Sequence, residues 1–465
     1  MESQGTFRDR FSDTRVLWQT RMAAYCLGID EFVPLAMVLS LDDGCDLDLM
    51  ERRTGIRFYS REKTEGRRRA LGDDPETYTL LPAIEHQLMS SLRDSPTGRW
   101  KAVSPYPSVS LRGFAAKTGI GCHCRTWEES RLFGSKRGLR ACLDDLDLPR
   151  LPARMLDLGQ VRYPELASEF GGRFVMQQDM GAAGRGTAII GSPEDLAEAG
   201  RRFGVSEVWV APYAGCLSFN VNAVAVDHGT VVGFPSVQIV GQPFLHGTPS
   251  GHAGNDFTAA AAAPSDVLTS IRKQSERIGS WMAARGYRGL FGLDFVVDEA
   301  SGTPLAVDLN PRWQASTSLQ AQAESRQGRI PLAAVELAAQ LGMMNTQEIL
   351  AMAEVFFQPL EGSQVFPKNA HGRWCQARNK LEAGVYSAAL EYARPALRLR
   401  ELNAPDELVI TGGVPRPGRP MAAGTWLLRI CGVRAAVDGA TGQPLPWVEE
   451  AVRKVYNQVD LEEVD

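Results

Sequence analysis

The sequence predicts a mixed α/β (α+β) fold with several domains, and three observations support this prediction. The segment PLAMVLSL (34–41) is a continuous apolar run, typical of a strand buried in a parallel sheet. Residues 265–286 carry apolar side chains at helical spacing, which predicts an amphipathic helix. Two apolar-rich runs flank DEASG between residues 289 and 310, which predicts a β-hairpin. Because 465 residues exceed what one hydrophobic core normally organises, three or four domains are expected.

The overall composition is that of an ordinary globular protein, with 44% hydrophobic and 23% charged residues. A net charge of −5 gives no general attraction to nucleic acid or to an anionic membrane. The charged segment 51–76 mixes both signs and lacks interleaved aromatic residues, so a solvated surface is expected there. The N-terminus lacks the apolar stretch of a secretion signal, and the longest apolar runs are too short to span a bilayer. A cytoplasmic location is therefore expected.

The eight cysteines are scattered and form no dense disulfide framework, which agrees with a reducing compartment. The cluster Cys122-His123-Cys124 resembles a metal site. However, zinc-binding pairs usually have two to four residues between them, and no second pair lies nearby. We expect ordinary reduced cysteines at these positions.

From residue 130 onward, local patterns predict a series of elements. Ser192-Pro193-Glu194-Asp195 has the features of a helix start, with a capping serine, a proline at the first helical position and an acid three residues after the cap. From residue 361, glycines, prolines and short apolar runs indicate a smaller α+β lobe. The predicted elements are a helix over 131–146, strands over 173–178 and 187–190, a helix from Ser192 to about 203, a strand over 207–213, strands on both sides of 227–229, helices up to about 357, and a final helix over 447–459.

The hairpin over 289–310 carries an unusual pair of acids. Asp294 and Asp308 each lie seven residues from Ser301, the centre of the predicted turn. In a symmetric hairpin they face each other across the ladder, where like charges are destabilising. At ~4 Å and an effective dielectric near 20, the repulsion is about 4 kcal/mol. A divalent cation between the two carboxylates would reverse its sign.

Two further polar residues extend this face of the hairpin. Asn310 lies two residues after Asp308, so strand alternation places it on the same side. Arg312 joins them if the extended conformation continues past Pro311. Carboxylate and amide oxygens suit magnesium, and a guanidinium suits phosphate oxygens, so the pattern predicts a magnesium–phosphate site. The alternative is a hairpin that carries incidental polar residues on its solvent face.

At this point the sequence resembles the ATP-grasp enzymes, whose metal-binding hairpin commonly ends in an acid-x-Asn-Pro-Arg-like motif. The matching residues are Asp294-Phe295 and Asp308-Leu309-Asn310-Pro311-Arg312. The resemblance implies that Asp294, Asp308 and Asn310 hold magnesium. It also implies that Arg312 stabilises the transferred phosphoryl group or an acyl phosphate. The second acid is usually glutamate, and the shorter aspartate leaves the number of magnesium ions open.

The segment FVMQQDMGAAGRGTAII (174–190) supports the same resemblance, because it has the strand, glycine-rich loop and strand of the ATP-grasp phosphate cover. Glycines let backbone N–H groups approach phosphate oxygens closely, although an ordinary hairpin turn is an equal alternative. The resemblance implies nucleotide contacts from the loop, and Gln177 stands where the family has a lysine. We expect Arg185 to compensate for the missing charge. The loop residues concerned are Gly181, Gly184, Arg185 and Gly186.

Two more nucleotide-binding positions follow from the resemblance. The family has its second nucleotide lysine at a helix start a few tens of residues upstream, and Lys136, 41 residues before Gln177, matches that position. Val210, Ala211 and Tyr213 match the strand whose backbone contacts the adenine edge, although the usual acid near them is absent. The residue that binds the ribose is not assigned.

Between this strand and the hairpin lies a polar, glycine-rich segment (238–260). Its residues His246, His252, Asn255 and Asp256 are candidates for binding the substrates, and a histidine is a candidate base for an incoming amine. A surface loop with incidental polar residues is the alternative.

Motifs support the resemblance over roughly residues 130–345, and the assignment of the N-terminal part rests on the order of the domains alone. The expected domains are an N-terminal α/β domain (1–130), a small ATP-grasp subdomain (131–206), a large one (207–360) and a C-terminal lobe (361–465). The implied reaction uses ATP and Mg²⁺ to convert a carboxylate to an acyl phosphate and couples it to an amine, with amino acids as the expected substrates. No nucleic-acid or membrane partner is expected, and a homodimer is the assembly considered. A biotin-carboxylase-like enzyme and an inactive nucleotide-binding regulator, which Gln177 would favour, are the alternatives.

Overall fold

The computed structural model describes residues 4–69, 78–93, 99–181, 184, 186–245, 250–369, 371–378 and 381–464. These residues form a mixed α/β structure in which a parallel sheet is followed by antiparallel sheets. The predicted fold class is therefore confirmed. Among the described helices, none combines the length and the apolar character needed to cross a bilayer.

The N-terminal domain is built on a parallel sheet with strand order β3-β2-β1-β4-β5. The apolar run at 34–41 forms β2, as predicted. The order reverses between β1 and β4, so the carboxyl ends of these neighbouring strands open into one crevice. The elements are α1 (Gln4–Asp9), β1 (Thr14–Gln19), β2 (Leu35–Ser40), α2 (Asp46–Thr54), β3 (Arg57–Ser60), α3 (Arg61–Glu65), α4 (Pro82–Arg93), β4 (Arg99–Ser104), α5 (Val109–Thr118) and β5 (Gly121–Cys124).

The next segment forms a small antiparallel sheet with strand order β6-β9-β7-β8. The prediction of one helix over 131–146 is wrong, because the chain turns at Ser135 (φ −81°, ψ 153°) and two helices form. The Ser135 hydroxyl accepts a hydrogen bond from the Gly138 amide, which makes Lys136 the first residue of the second helix. The elements are α6 (Trp127–Gly134), α7 (Lys136–Asp145), β6 (Arg154–Asp157), α8 (Tyr163–Phe170), β7 (Phe174–Gln177), β8 (Thr187–Ile190), α9 (Pro193–Phe203) and β9 (Glu207–Pro212). The predicted cap at Ser192 is confirmed by its hydrogen bond from the Asp195 amide.

The central antiparallel sheet contains the hairpin, and α11 packs against it through the predicted amphipathic face. Its order begins β15-β14-β10-β12-β13, with β11 paired to β10. The elements are β10 (Ser218–Val226), β11 (Gly229–Val232), β12 (Ser236–Val240), β13 (His252–Asp256), α10 (Phe257–Ala260), α11 (Ser265–Ala284), β14 (Gly289–Val297), β15 (Pro304–Asn310), α12 (Ala315–Arg326), α13 (Leu332–Gln340), α14 (Thr346–Leu350) and α15 (Ala353–Phe356).

The C-terminal lobe continues the same sheet, which crosses residue 360 and extends as β13-β16-β22-β20-β18-β19. A smaller sheet has the order β21-β17-β23. The division of the chain at 130, 206 and 360 stays a prediction. The elements are β16 (Ser363–Val365), β17 (Cys375–Ala377), β18 (Gly384–Tyr386), β19 (Tyr392–Arg394), β20 (Leu408–Thr411), β21 (Pro420–Met421), β22 (Arg429–Gly432), α16 (Pro446–Val459) and β23 (Leu461–Glu463).

A buried carboxylate fixes this lobe against the N-terminal domain. Asp46, at the start of α2, accepts hydrogen bonds from the backbone amides of Gly412, Gly413 and Val414. Three amides that converge on one carboxylate form a strong anchor, because charge-assisted hydrogen bonds exceed neutral ones in strength. Residues from both ends of the chain can therefore line one cavity.

All eight cysteines are free, and Cys122 and Cys124 lie partly buried on β5. Within the described part of the chain, no group of three or more His, Cys, Asp or Glu side chains is arranged to hold a metal ion.

Candidate active site

A cavity of about 410 Å³ lies between the small sheet, the hairpin, the N-terminal domain and the C-terminal lobe. It brings together most of the residues that the sequence singled out, although these are spread over nearly 180 positions. The predicted residues that line it are Lys136, Gln177, Gly181, Gly184, Ala211, Tyr213, His252, Asn255, Asp294, Asp308, Asn310 and Arg312.

Three predicted residues do not line the cavity. Val210 is fully buried in the core of the small subdomain, so the lining on β9 begins at Ala211. Asp256 was expected to face the substrates, but its carboxylate accepts hydrogen bonds from the Ala259, Ala436 and Val437 amides, so its role is structural. Gly186 pairs with Gln178 through its backbone carbonyl. Two others, Arg185 and His246, lie outside the described residues.

The hairpin has the predicted register at the two acids, since Asp294 on β14 pairs directly with Asp308 on β15. Nearer the turn, Phe295 pairs with Ala306, so Val307 forms a one-residue bulge. Near the turn, the strand pairing is therefore shifted by one residue from that of a hairpin centred on residue 301. The extra residue, Val307, brings Asp294 and Asp308 opposite each other again. Bulges commonly re-aim side chains near functional sites.

Two side-chain amides donate hydrogen bonds to Asp294. Its Oδ1 accepts hydrogen bonds from Asn220 Nδ2 (2.6 Å) and from Gln238 Nε2 (3.0 Å), on β10 and β12. Burial raises the pKa of Asp294 to about 7, and the charge of Asp308 acts in the same direction. The two carboxylates therefore repel each other as the sequence predicts.

Lys136 compensates for part of this negative charge. Its Nζ lies 2.5 Å from Asp308 Oδ1 and donates a second hydrogen bond to the carbonyl of Val307, the bulge residue. The lysine side chain is 13% exposed and that of Asp308 is 29% exposed, so this pair is shielded from bulk water. Lys136 and Asp308, which the sequence singled out separately, are therefore direct partners.

The donor set at the hairpin fits a magnesium ion that shares its coordination with a ligand. Asp294, Asp308 and Asn310 face one cavity and offer hard oxygen atoms, and Asn310 Nδ2 lies 3.5 Å from Asp308 Oδ2. Magnesium usually takes only one or two carboxylates from a protein and fills the remaining positions with phosphate oxygens and water. A cation bound between these acids would counter the repulsion by which Asp308 helps to raise the pKa of Asp294, beside the larger effect of burial.

Strands β7 and β8 pair in antiparallel fashion, and of the described glycines between them Gly181 and Gly184 line the cavity. A Cβ on Gly181 would lie 3.1 Å from Gly186 Cα, so the two arms of the loop are in close contact. Gly184 has φ +77°, and a Cβ there would lie 2.1 Å from the Ser250 carbonyl oxygen. The Ser250 hydroxyl donates to the carbonyls of Gly184 and Thr187, which ties the loop to the opposite subdomain. Gln177 faces the cavity and donates to Thr187 Oγ1 at 3.3 Å.

The segment after β9 lines the cavity from Ala211 to Cys216. Tyr213 lies under the guanidinium of Arg173, with 4.1 Å from Arg173 Cζ to the ring centroid. Ala211 remains paired with Val175 inside the sheet. After β9, the Tyr213 amide donates to the Arg173 carbonyl and the Ala214 carbonyl accepts from the Glu299 amide, so the backbone of this segment is held in place beside the cavity.

His252 is placed in the cavity wall, with its Nε2 3.0 Å from Asn255 Oδ1. Burial lowers the pKa of His252 to about 4, and the charge of Lys368 acts in the same direction. A base works best when its pKa is close to the operating pH, so this histidine is poorly suited to take a proton from an amine. The hypothesis of a histidine base is not favoured for His252.

Sequence reasoning missed the residues that other elements bring to the cavity. Strand alternation on β10 and β12 could have suggested that Asn220 and Gln238 face the site. Their register with the hairpin, however, depends on the pairing of strands that are distant in sequence. The N-terminal domain and the C-terminal lobe also contribute. Their lining residues are Arg21, Tyr25, Tyr106, Lys368, Gly424, Thr425 and Trp426.

No family model matches the chain, and no curated protein sequence matches it. Solved structures do match along nearly its whole length. L-amino acid ligase from Bacillus licheniformis has a TM-score of 0.56 at 11% identity, covering 97% of this chain and 99% of that one. Carboxyaminoimidazole ribonucleotide synthase from Aspergillus clavatus, complexed with ATP, has a TM-score of 0.52 at 12% identity, covering 97% and 100%.

A third match is the biotin carboxylase domain of 2-oxoglutarate carboxylase from Hydrogenobacter thermophilus, in complex with MgADP, ADP and bicarbonate. Its TM-score is 0.55 at 12% identity, covering 97% of this chain and 91% of that one. At such low identity these likenesses establish architecture and not activity. Together with the hairpin and the glycine loop, they show that this chain has the ATP-grasp fold.

Proposed function

We propose that this protein is an ATP- and magnesium-dependent ligase that activates a substrate carboxylate as an acyl phosphate and couples it to an amine, with amino acids as the favoured substrates. The observation that carries the proposal is the single cavity in which Lys136 and the glycine loop face Asp294, Asp308 and Arg312. Cationic and metal-binding groups on one side and backbone donors on the other suit a polyphosphate chain.

The residues divide into three roles. Lys136 and the backbone of the glycine loop hold the phosphates, and the segment from Ala211 to Cys216 holds the base. Magnesium, held by Asp294, Asp308 and Asn310, would neutralise charge on the phosphate oxygens. Arg312 lies on the same strand end and orients the oxygens of the phosphoryl group through its planar guanidinium.

The proposed chemistry has two steps. A carboxylate oxygen attacks the terminal phosphorus of ATP, the bond to ADP breaks, and an acyl phosphate forms. The amine nitrogen then attacks the acyl carbon, inorganic phosphate leaves, and the nitrogen loses a proton to give the amide. Preorganised positive groups stabilise the charge of the phosphoryl transfer.

A carboxylase reaction is the second candidate, because one structural neighbour was solved with MgADP and bicarbonate. In that case bicarbonate would be the carboxylate that is activated. An inactive nucleotide-binding regulator is a further alternative. It is favoured by Gln177 on β7, which stands where the family has a lysine.

Steady-state ADP release distinguishes these candidates. The enzyme is incubated with ATP, Mg²⁺ and a panel of amino acids, singly and in pairs, and separately with bicarbonate. A ligase releases ADP only when an acid and an amine are both present, and it yields an amide detectable by mass spectrometry. Release with bicarbonate alone supports the carboxylase, and ATP binding without release under any condition contradicts both.

A further inference from the structure

The carboxylate of Asp294 is held by uncharged donors from two other strands. Asn220 on β10 lies directly opposite Asp294 in the strand pairing, and its Nδ2 donates to Asp294 Oδ1 at 2.6 Å. Gln238 on β12 donates to the same oxygen at 3.0 Å. Each oxygen of a carboxylate offers about two acceptor sites, so these two donors occupy Oδ1. Both hydrogen bonds that described residues donate to this carboxylate end on Oδ1, which leaves Oδ2 for a cation.

The side-chain amide of Asn220 fits the site in one orientation only. Its Oδ1 accepts a hydrogen bond from the hydroxyl of Ser316 in the first turn of α12, and its Nδ2 donates a second bond to Gln314 Oε1. Both N–H groups and the oxygen of the amide are therefore used. A rotation by 180° would turn the amide oxygen towards the Asp294 carboxylate and break these bonds. Asn220 is 2% exposed, so water cannot replace them.

A second buried amide fixes the direction of the Ser316 hydroxyl. Asn222, two residues after Asn220 on the same face of β10, donates to Ser316 Oγ at 3.0 Å and to Gln320 Oε1 at 2.9 Å. Its own oxygen accepts a hydrogen bond from Thr317 Oγ1 at 2.9 Å. Because Ser316 Oγ accepts from Asn222, its single hydrogen is available for Asn220. The donors therefore run in one direction, from Asn222 through Ser316 and Asn220 to the metal-site acid.

This chain of polar groups lies where a strand packs on a helix, an interface that is ordinarily apolar. Asn220, Asn222 and Ser316 are each at most 2% exposed. Buried polar groups cost free energy unless they are hydrogen-bonded, and a connected network then holds its members in one arrangement. The arrangement that this network fixes at its β10 end is the position of Asp294.

The other acid of the hairpin is held by a different kind of partner. Asp308 pairs with Lys136, whose positive charge would oppose a cation bound at the same carboxylate. The donors to Asp294 are uncharged amides, so they orient the carboxylate without neutralising it. Carboxylates that bind metal ions are commonly oriented in this way by hydrogen bonds from neighbouring groups. Asp294 is therefore the better preorganised of the two acids.

We propose that Asn220 is a positioning residue of the magnesium site: held by Ser316 and Asn222, its amide occupies Asp294 Oδ1 and turns Oδ2 towards the cation. This inference rests on the proposed function and names a residue that acts on the metal through Asp294. Mg²⁺ demands nearly ideal octahedral geometry, whereas Ca²⁺ tolerates irregular sites. Asn220 therefore contributes to the selectivity of the site for Mg²⁺ as well as to its affinity.

The test measures Mn²⁺ binding to the whole chain without nucleotide, from the loss of the EPR signal of free Mn²⁺. Asn220→Leu keeps the approximate size of the side chain and removes its hydrogen bonds. It should weaken Mn²⁺ binding roughly 10- to 100-fold, as the loss of a partner of a metal ligand commonly does. Mg²⁺ should lose more of its ability to displace bound Mn²⁺ than Ca²⁺ does. The affinity for ATP in EDTA, measured by titration calorimetry, should stay within about 2-fold of the wild type.

A milder variant keeps the test decisive if Asn220→Leu does not fold. Ser316→Ala removes the bond that orients the Asn220 amide, and it should weaken Mn²⁺ binding roughly 5-fold, which corresponds to the loss of one neutral hydrogen bond. Asn369→Leu is the matched control, since Asn369 is also a buried asparagine, donates to the Met421 carbonyl and lies outside the cavity lining. It should lower thermal stability and leave the affinity for Mn²⁺ unchanged.

The outcomes separate the positioning role from the proposed ligase, because ADP release is measured in parallel. Wild-type affinity for Mn²⁺ in Ser316→Ala and in folded Asn220→Leu overturns the positioning role and leaves the ligase standing, and an equal loss in Asn369→Leu overturns it as well. Weaker Mn²⁺ binding in the two network variants alone, without ADP release by the wild type for any acid and amine, supports the positioning role and contradicts the ligase. A wild-type protein that binds no Mn²⁺, with or without ATP, overturns both.

Discussion

Asp308→Asn removes one carboxylate from the hairpin and keeps the size of the side chain. Two electrostatic interactions change. The attraction to Lys136, 2.5 Å away, is weakened, and the repulsion from Asp294 across the ladder is lost. Each is about 4 kcal/mol for unit charges ~4 Å apart at an effective dielectric near 20, and the two have opposite signs. The net change in the free energy of unfolding should therefore be small, about 1 kcal/mol in either direction.

Activity should respond very differently, because the substitution removes a hard anionic ligand from the proposed magnesium site. We expect kcat for ADP release to fall by on the order of 10²- to 10³-fold, which is typical for the loss of one preorganised electrostatic group. The assay is coupled ADP release at saturating and at limiting Mg²⁺, with thermal unfolding of the same preparation.

Asp298→Asn is the matched control, since Asp298 lies in the turn of the same hairpin and accepts hydrogen bonds from Ser301. It should leave kcat within about 3-fold of the wild type, because it lies outside the cavity lining. If Asp308→Asn retains near-wild-type activity at limiting Mg²⁺, the assignment of the metal site is wrong.

Three further predictions concern the loop, its neighbour strand and the core. Gly184→Ala should raise the KM for ATP by roughly 10-fold or more, because the new Cβ would meet the Ser250 carbonyl, whereas Gly171→Ala, at a similar φ in open space, should only lower stability by about 1 kcal/mol. Arg185→Ala should weaken ATP binding more than Gln177→Ala, since a charged hydrogen bond is about twice as strong as a neutral one. Equal losses of ATP affinity in titration calorimetry would contradict the idea that Arg185 compensates for the lysine that is missing at position 177. Burial raises the pKa of Glu324 from 4.5 to about 7, so its contribution to stability is present below pH 4.5 and is lost as the pH rises through 7. Urea unfolding at pH 5 and pH 8 should therefore show a smaller fall in stability for Glu324→Gln than for the wild type, by roughly 2.5 kcal/mol.

Local chemistry predicted much of the fold and the facing acids of the hairpin, which line the cavity. The cap at Ser192 and the facing acids follow from spacing, because hydrogen-bond patterns of helices and hairpins relate residues that are close in sequence. The break at Ser135 was missed, although a serine followed by a good helix start can cap a second helix. The bulge at Val307 was also missed, since the spacing of the two strands around the turn does not mark an extra residue there.

The part of the cavity wall that comes from the N-terminal domain and the C-terminal lobe could not be predicted in this way. Arg21 and Lys368 are almost 350 positions apart, and they reach one cavity only because the C-terminal lobe continues the central sheet and docks on Asp46. Nothing in the sequence around Arg21 distinguishes it from a surface arginine. Its burial against Tyr78 and Tyr106 is a property of the assembled domain.

The most direct test of the central claim is the fate of carboxylate oxygen during turnover. Lys136 contacts Asp308 on the hairpin, and Gly181 and Gly184 line the same cavity, so the terminal phosphate of ATP is the one expected to meet the acid. With a substrate acid labelled with ¹⁸O in its carboxyl group, the account predicts ADP as the nucleotide product and transfer of one ¹⁸O atom to inorganic phosphate. Stoichiometric AMP and pyrophosphate, with the label in AMP, would contradict it.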